Sequence, residues 1–129
     1  GKTILIAEDN DLNYEIVNFV LGVAGASIIR AKDGEEAVNL FKKSKVGEFD
    51  AILMDVMMPK VDGLAAARTI RGLNRSDAKD IPIIAMSASA FDDDIRKSKE
   101  AGMNEHITKP IDNAVLIACL AKLLKKNRG

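Results

Sequence analysis

The chain has 129 residues, with 19 Lys plus Arg against 19 Asp plus Glu, 47% hydrophobic residues and 29% charged ones. These values fit one compact globular domain that folds without disulfides or a structural metal, and they exclude a disordered chain. A formal net charge of zero removes the usual electrostatic drive toward nucleic acid or a membrane surface, so neither is expected as a direct partner. The single cysteine, Cys119, cannot form an internal disulfide or a cysteine-based metal site, which points to a reducing compartment. The longest apolar runs, such as Ile4-Leu5-Ile6-Ala7 and Ile81 to Met86, fall far short of the roughly 20 residues that span a bilayer. No signal peptide is evident. The expectation is one cytoplasmic domain over residues 1–129. Because it opens on Gly1, it reads as a processed or excised piece of a longer protein.

Short apolar runs alternate with longer amphipathic ones, five times in all. Thr3-Ile4-Leu5-Ile6-Ala7 is too short for a stable helix and apolar throughout, as a strand buried on both faces would be. The polar stretch Glu8-Asp9-Asn10-Asp11 then reads as a helix start, and Leu12, Ile16, Val20 and Val23 recur at helical spacing up to a stop at Gly25. The second cycle pairs a strand at Ala26-Ser27-Ile28-Ile29 with a turn at Asp33-Gly34 and a helix carrying Ala37, Leu40 and Phe41. The third pairs Ala51-Ile52-Leu53-Met54 with Asp55, a loop containing Pro59 and Gly63, and a helix marked by Leu64, Ala67 and Ile70. The fourth strand is Ile83-Ile84-Ala85-Met86, followed by a helix from about Phe91 to Ala101 that ends near Gly102. The fifth strand is Glu105-His106-Ile107, then Pro110. The last helix has apolar pairs at Val115/Leu116, Cys119/Leu120 and Leu123/Leu124. Its late basic residues, Lys122, Lys125, Lys126 and Arg128, suit the negative end of a helix dipole.

Parallel neighbouring strands need crossovers of about a dozen residues, usually helical, and right-handed crossovers put helices on both faces of the sheet. The predicted fold is therefore α/β: a flavodoxin-like, doubly wound, five-stranded parallel sheet in the order 2-1-3-4-5. Ligands of such sheets bind beyond the carboxyl ends of the strands, where the strand order reverses. Here that point lies between the first and third strands, and the residues placed there are acids: Glu8 and Asp9 after the first, Asp55 after the third.

Two carboxylates about 4 Å apart repel by roughly 4 kcal/mol at an effective dielectric of 20, a large share of a total stability of about 5–15 kcal/mol. Protonation or a hard cation relieves that repulsion. An all-oxygen set without Cys or His suits Mg2+, Mn2+ or Ca2+ better than zinc. The same residues exclude a nucleotide cradle, because Ala7-Glu8-Asp9-Asn10-Asp11 contains no glycine and would repel a bare phosphate. Each residue has a simpler reading alone. Glu8, Asp9 and Asp11 could cap a helix, Asp55 could be a loop aspartate, Ser87 a small residue at a strand exit and Lys109 a solvated lysine. Their convergence at strand carboxyl ends favours a site.

Four segments carry a resemblance. Ile4 to Asn10, Ile52 to Pro59 with Asp62-Gly63, Ile83 to Ala88, and Thr108-Lys109-Pro110 resemble the receiver domain of two-component response regulators across essentially the whole chain. The wording from Met86 to Phe91 further resembles receivers attached to hybrid histidine kinases. The resemblance implies that Asp55 is the phosphoacceptor, taking a phosphoryl group from the phosphohistidine of a histidine kinase or a histidine-containing phosphotransfer domain. It implies Mg2+, with Mn2+ as a substitute, held by Asp9, Asp55 and the backbone carbonyl of Met57, and by Glu8 through a water. Lys109 and Ser87 would act on the phosphoryl oxygens, making them the catalytic pair beside the nucleophile. Ser87 and His106 would form the switch that changes the surface of the fourth helix, fifth strand and fifth helix.

Three residues depart from the pattern: Glu8 stands where aspartate is more common, Met57 offers no polar side chain, and His106 replaces the usual tyrosine or phenylalanine. Two other functions compete with a signalling module that is not itself an enzyme. An aspartyl-nucleophile phosphatase needs an acid two residues after Asp55, where this chain has Met57. An interaction module that is never phosphorylated does not need Glu8, Asp9, Asp55, Ser87 and Lys109 all at once. Of the remaining residues, Cys119 is expected in the core and Tyr14 on the surface of the first helix.

Overall fold

A computed structural model describes residues 2–58, 61–88, 91–109 and 111–128, with side chains followed to residue 124. Pro59, Pro110, Ser89 and Ala90 and the side chains of Lys125, Lys126 and Arg128 lie outside the described residues. Strands β1 (Thr3–Ala7), β2 (Ser27–Ala31), β3 (Ala51–Asp55), β4 (Ile83–Ser87) and β5 (Glu105–Thr108) alternate with helices α1 (Asp11–Val23), α2 (Gly34–Lys43), α3 (Gly63–Arg71), α4 (Asp92–Glu100) and α5 (Asn113–Arg128). All four strand pairings are parallel and the sheet order is β2-β1-β3-β4-β5, as the alternating pattern predicts.

Helices α1 and α5 cover one face of the sheet, and α2 and α3 the other. Val17 and Leu21 of α1 and Leu116, Leu120 and Leu123 of α5 pack on Ile4, Ile6, Leu53, Ile84 and Met86. On the other face, Ala37, Val38 and Phe41 of α2 and Ala66, Ala67 and Ile70 of α3 meet Leu5, Ile52, Met54, Ile83 and Ala85. Residues alternate between the two clusters along each central strand, which is why β1, β3 and β4 read as continuous apolar runs. Full burial of one such Leu or Ile is worth about 1.5–3 kcal/mol.

Local signals set the helix starts. Asn10, Asp33 and Asp62 cap α1, α2 and α3, each accepting a backbone N–H three residues on. At the end of α1, Gly25 has φ 90°, the left-handed turn expected of a helix stop. Of the apolar positions that mark α1 in the sequence, only Val20 packs against the core; Leu12 and Val23 are 67% and 75% exposed. This helix is apolar on two sides, and the packing of Val17 and Leu21 decides which one faces the sheet. Cys119 is half-buried against the core, and Tyr14 is half-buried as well, under a guanidinium. None of the described helices is long and apolar enough to cross a membrane.

Candidate functional site

The register pairs Ala7 of β1 with Met54 of β3, so the next residues along, Glu8 and Asp55, emerge side by side at the carboxyl edge of the sheet. Both are buried, at 1% and 3% exposure, while Asp9 is exposed. One ligand oxygen from each of Glu8, Asp9 and Asp55 can be chosen so that all lie within 4.8 Å of one another. The chain after β5 supplies the counter-charge: Lys109 Nζ lies 2.9 Å from Glu8 Oε1 and 3.0 Å from Asp55 Oδ2.

Backbone groups fix the second oxygen of each buried acid. The Met57 N–H donates to Asp55 Oδ1 at 3.2 Å, and the Asn10 N–H donates to Glu8 Oε2 at 3.2 Å. Lys109 is held at its own main chain, where its N–H donates to the Ser87 carbonyl at 2.7 Å. The loop after β3 folds back tightly: the Gly63 N–H donates to the Val56 carbonyl at 2.9 Å, and a Cβ on Gly63 would collide with the Asp55 carbonyl. Only glycine permits that approach beside Asp55.

Charge is unbalanced here. Burial, reinforced by the neighbouring Asp55 carboxyl, holds the Glu8 pKa above the ordinary carboxylate value even though Lys109 and the Asn10 N–H pull it down. Burial also works against the Lys109 ammonium, but Glu8 and Asp55 outweigh it and raise its pKa, so the cation is retained at neutral pH. Among the described residues, Lys109 is the cation in contact with the two buried acids, and the exposed Asp9 adds a third negative charge beside them. An all-oxygen donor set with surplus negative charge fits a hard divalent cation such as Mg2+.

The structure thus brings Glu8, Asp9, Asp55 and Lys109 into one cluster. Ser87 closes β4 on the same edge, paired in register with Thr108, and is 8% exposed. Met57 reaches Asp55 through its main chain while its side chain is 76% exposed. His106 is set apart: it is half-buried on the edge strand β5, and its Nδ1 lies 3.0 Å from the hydroxyl of Ser98, a buried residue of α4. Two neighbours of the site were not anticipated. Arg30 on β2 contacts the Glu8 carbonyl, and Ser98 holds His106. A long basic side chain interrupting the run Ser27 to Ala31 is the signal that marks Arg30; Ser98 has none, since one serine in a polar helix looks like any other.

Comparison with known proteins follows the same lines. Residues 4–121 match the model of the response regulator receiver domain. The hybrid signal transduction histidine kinase I of Dictyostelium discoideum is 36% identical over 99% of this chain, which spans only 8% of that kinase. Among solved structures, the receiver domain of the sensor histidine kinase PA1611 from Pseudomonas aeruginosa, with a magnesium ion coordinated in its active site cleft, is 34% identical. It covers 97% of this chain and 98% of its own, with a TM-score of 0.87. A co-crystal structure of the Saccharomyces cerevisiae histidine phosphotransfer signaling protein Ypd1 and the receiver domain of its downstream response regulator Ssk1 gives 32% identity, 95% and 88% coverage and a TM-score of 0.83.

Proposed function

The chain belongs to the response regulator receiver domain family, the modules of two-component phosphorelays, and from that premise we propose that Asp55 accepts a phosphoryl group from a partner's phosphohistidine in a Mg2+-dependent reaction. The observation that carries this reading is the lysine shared between two buried acids: Lys109 Nζ stands 2.9 Å from Glu8 and 3.0 Å from Asp55. Such an arrangement leaves surplus negative charge for a cation, and it places an ammonium beside the carboxylate that would become charged further.

In this reading Asp9 and Asp55, with the Met57 carbonyl, would hold the metal and Glu8 would hold it through a water; Mn2+ would fit the same donors. When bound, Mg2+ supplies positive charge against the phosphoryl oxygens. A carboxylate oxygen of Asp55 attacks phosphorus, the phosphorus–nitrogen bond of the donor breaks, and its electron pair returns to the imidazole, which takes up a proton. Lys109 offsets the charge on the transferring group, and the Ser87 hydroxyl donates to one of its oxygens. Met57, with an apolar and exposed side chain, would neither activate nor orient a water, which suits a lasting phosphoryl group better than phosphatase turnover.

Phosphorylation adds charge and strong acceptor oxygens at Asp55, toward which Ser87 would move. His106 would then exchange its contact with Ser98 for the vacated space and remodel α4, β5 and α5. Residues 1–129 would form one receiver domain in the cytoplasm, either acting alone or attached to a membrane-bound parent kinase, and served by a histidine kinase or a histidine-containing phosphotransfer domain.

The test is incubation with Mg2+ and acetyl phosphate, followed by intact mass and mapping of the modified peptide. One phosphoryl group on Asp55, absent in Asp55→Asn and without Mg2+, is the expected result. An unmodified wild type, or label that persists in Asp55→Asn, would overturn the proposal.

A further inference from the structure

We propose that Arg30 of β2 is a positioning residue for the acidic cluster: it fixes the main chain of Glu8 so that Glu8 and Asp9 present their oxygens to a divalent cation as one set. The proposal rests on the metal reading above. Its basis is a clamp built from one side chain. Arg30 Nε and Nη2 both donate to the Glu8 carbonyl, at 3.2 and 3.0 Å. The same Nη2 lies 2.8 Å from Asp11 Oδ1, and the guanidinium carbon sits 4.5 Å above the centre of the Tyr14 ring. With 17% of its side chain exposed, Arg30 is packed in place rather than waving in solvent.

Glu8 lies just beyond β1, yet both of its peptide groups remain tied to β2. Its N–H donates to the Ala31 carbonyl at 3.0 Å, and its carbonyl accepts the Arg30 fork. Two adjacent residues of β2 therefore fix the backbone on either side of the Glu8 Cα. The Glu8–Asp9 peptide takes its orientation from that grip, and with it the direction in which Asp9 leaves the chain. Asp11 and Tyr14 brace the guanidinium from the first turn of α1, so strand, loop and helix share one anchor.

Charge and position make opposite predictions. A cation near the cluster repels Mg2+, and Asp11, 2.8 Å from Arg30, offsets part of that charge. If Arg30 acted through charge alone, its removal would leave Mg2+ affinity unchanged or raise it. As a clamp, its loss lowers the affinity. Lysine separates the two, because it keeps the charge but has neither the planar fork nor the flat face that covers Tyr14.

The experiment titrates MgCl2 into wild type, Arg30→Lys, Arg30→Met and Tyr14→Leu by calorimetry, alongside thermal melts in chelator. Both Arg30 variants are expected to bind Mg2+ about tenfold more weakly. Tyr14→Leu, which removes only the brace, is expected to bind about threefold more weakly and covers the case in which Arg30→Met fails to fold. Wild-type affinity in Arg30→Lys, or a lowered melting temperature with Mg2+ affinity unchanged, would overturn the proposal and leave the site reading intact. A wild type that binds no Mg2+ would overturn both.

Discussion

Two of the clusters that pair basic with acidic side chains differ in one respect. Between the end of α2 and the loop before β4, Arg75 meets Asp77 at 2.6 and 2.9 Å, donates to the carbonyls of Phe41 and Ser44 at 2.6 and 3.0 Å, and lies 4.3 Å above the Phe41 ring. Asp77 in turn accepts the Gly47 N–H at 2.9 Å. Every charge there has its match. At the carboxyl edge, Glu8 and Asp55 share Lys109 with Asp9 beside them, and among the described residues the match is incomplete. A balanced cluster joins α2 to the loop before β4 and contributes stability. An unbalanced one holds repulsion that a cation or a phosphoryl group with its counter-ions can exploit.

Breaking the balanced cluster should cost most. Arg75→Ala removes a guanidinium that makes six hydrogen bonds and leaves a largely buried Asp77 without its cation, so an unfolding free energy about 2–3 kcal/mol lower is expected in denaturant titrations, with Mg2+ binding unaffected. Neutralising the unbalanced cluster should act in the opposite direction. Glu8→Gln keeps the shape and the acceptor toward Lys109 but removes a buried charge, so the metal-free protein should gain about 1 kcal/mol and a few degrees in melting temperature.

The smallest effect, and the sharpest in sign, is pH dependence. The Arg75 ion pair, against a lesser opposing effect of burial, holds the Asp77 carboxyl below its ordinary 3.8. Its contribution is therefore complete above that value and lost as the pH falls through the depressed one. Glu8 runs the other way: burial raises its native pKa, so it favours the fold below its ordinary 4.5 and that advantage is lost as the pH rises through the raised value. Metal-free melting curves should thus show two opposed limbs, the acid one flattened in Asp77→Asn and the other in Glu8→Gln.

Most of the fold was legible because period-two burial in a central parallel strand leaves no polar position: Ile4 to Ala7 and Ala51 to Met54 admit little else. The acidic edge was legible for a related reason, since acids that follow apolar strands must emerge together at one end. Less visible were features that depend on packing across elements. α1 carries apolar residues on two sides, and only contact with the sheet shows that Val17 and Leu21 face inward while Leu12 and Val23 face out. Arg30 became informative only once the parallel β1–β2 register set it beside the Glu8 carbonyl. His106 was singled out by its distance from Lys109, but its attachment to Ser98 spans two elements and has no sequence signature.

The contrast between the clusters is tested most directly by melting temperature against Mg2+ concentration for wild type, Asp77→Asn and Asp9→Ala. An acidic edge that takes up a divalent ion predicts a rise with Mg2+ in wild type and an equal rise from a lower baseline in Asp77→Asn. In Asp9→Ala the rise should be largely lost. A flat wild-type response, or a full response in Asp9→Ala, would contradict it.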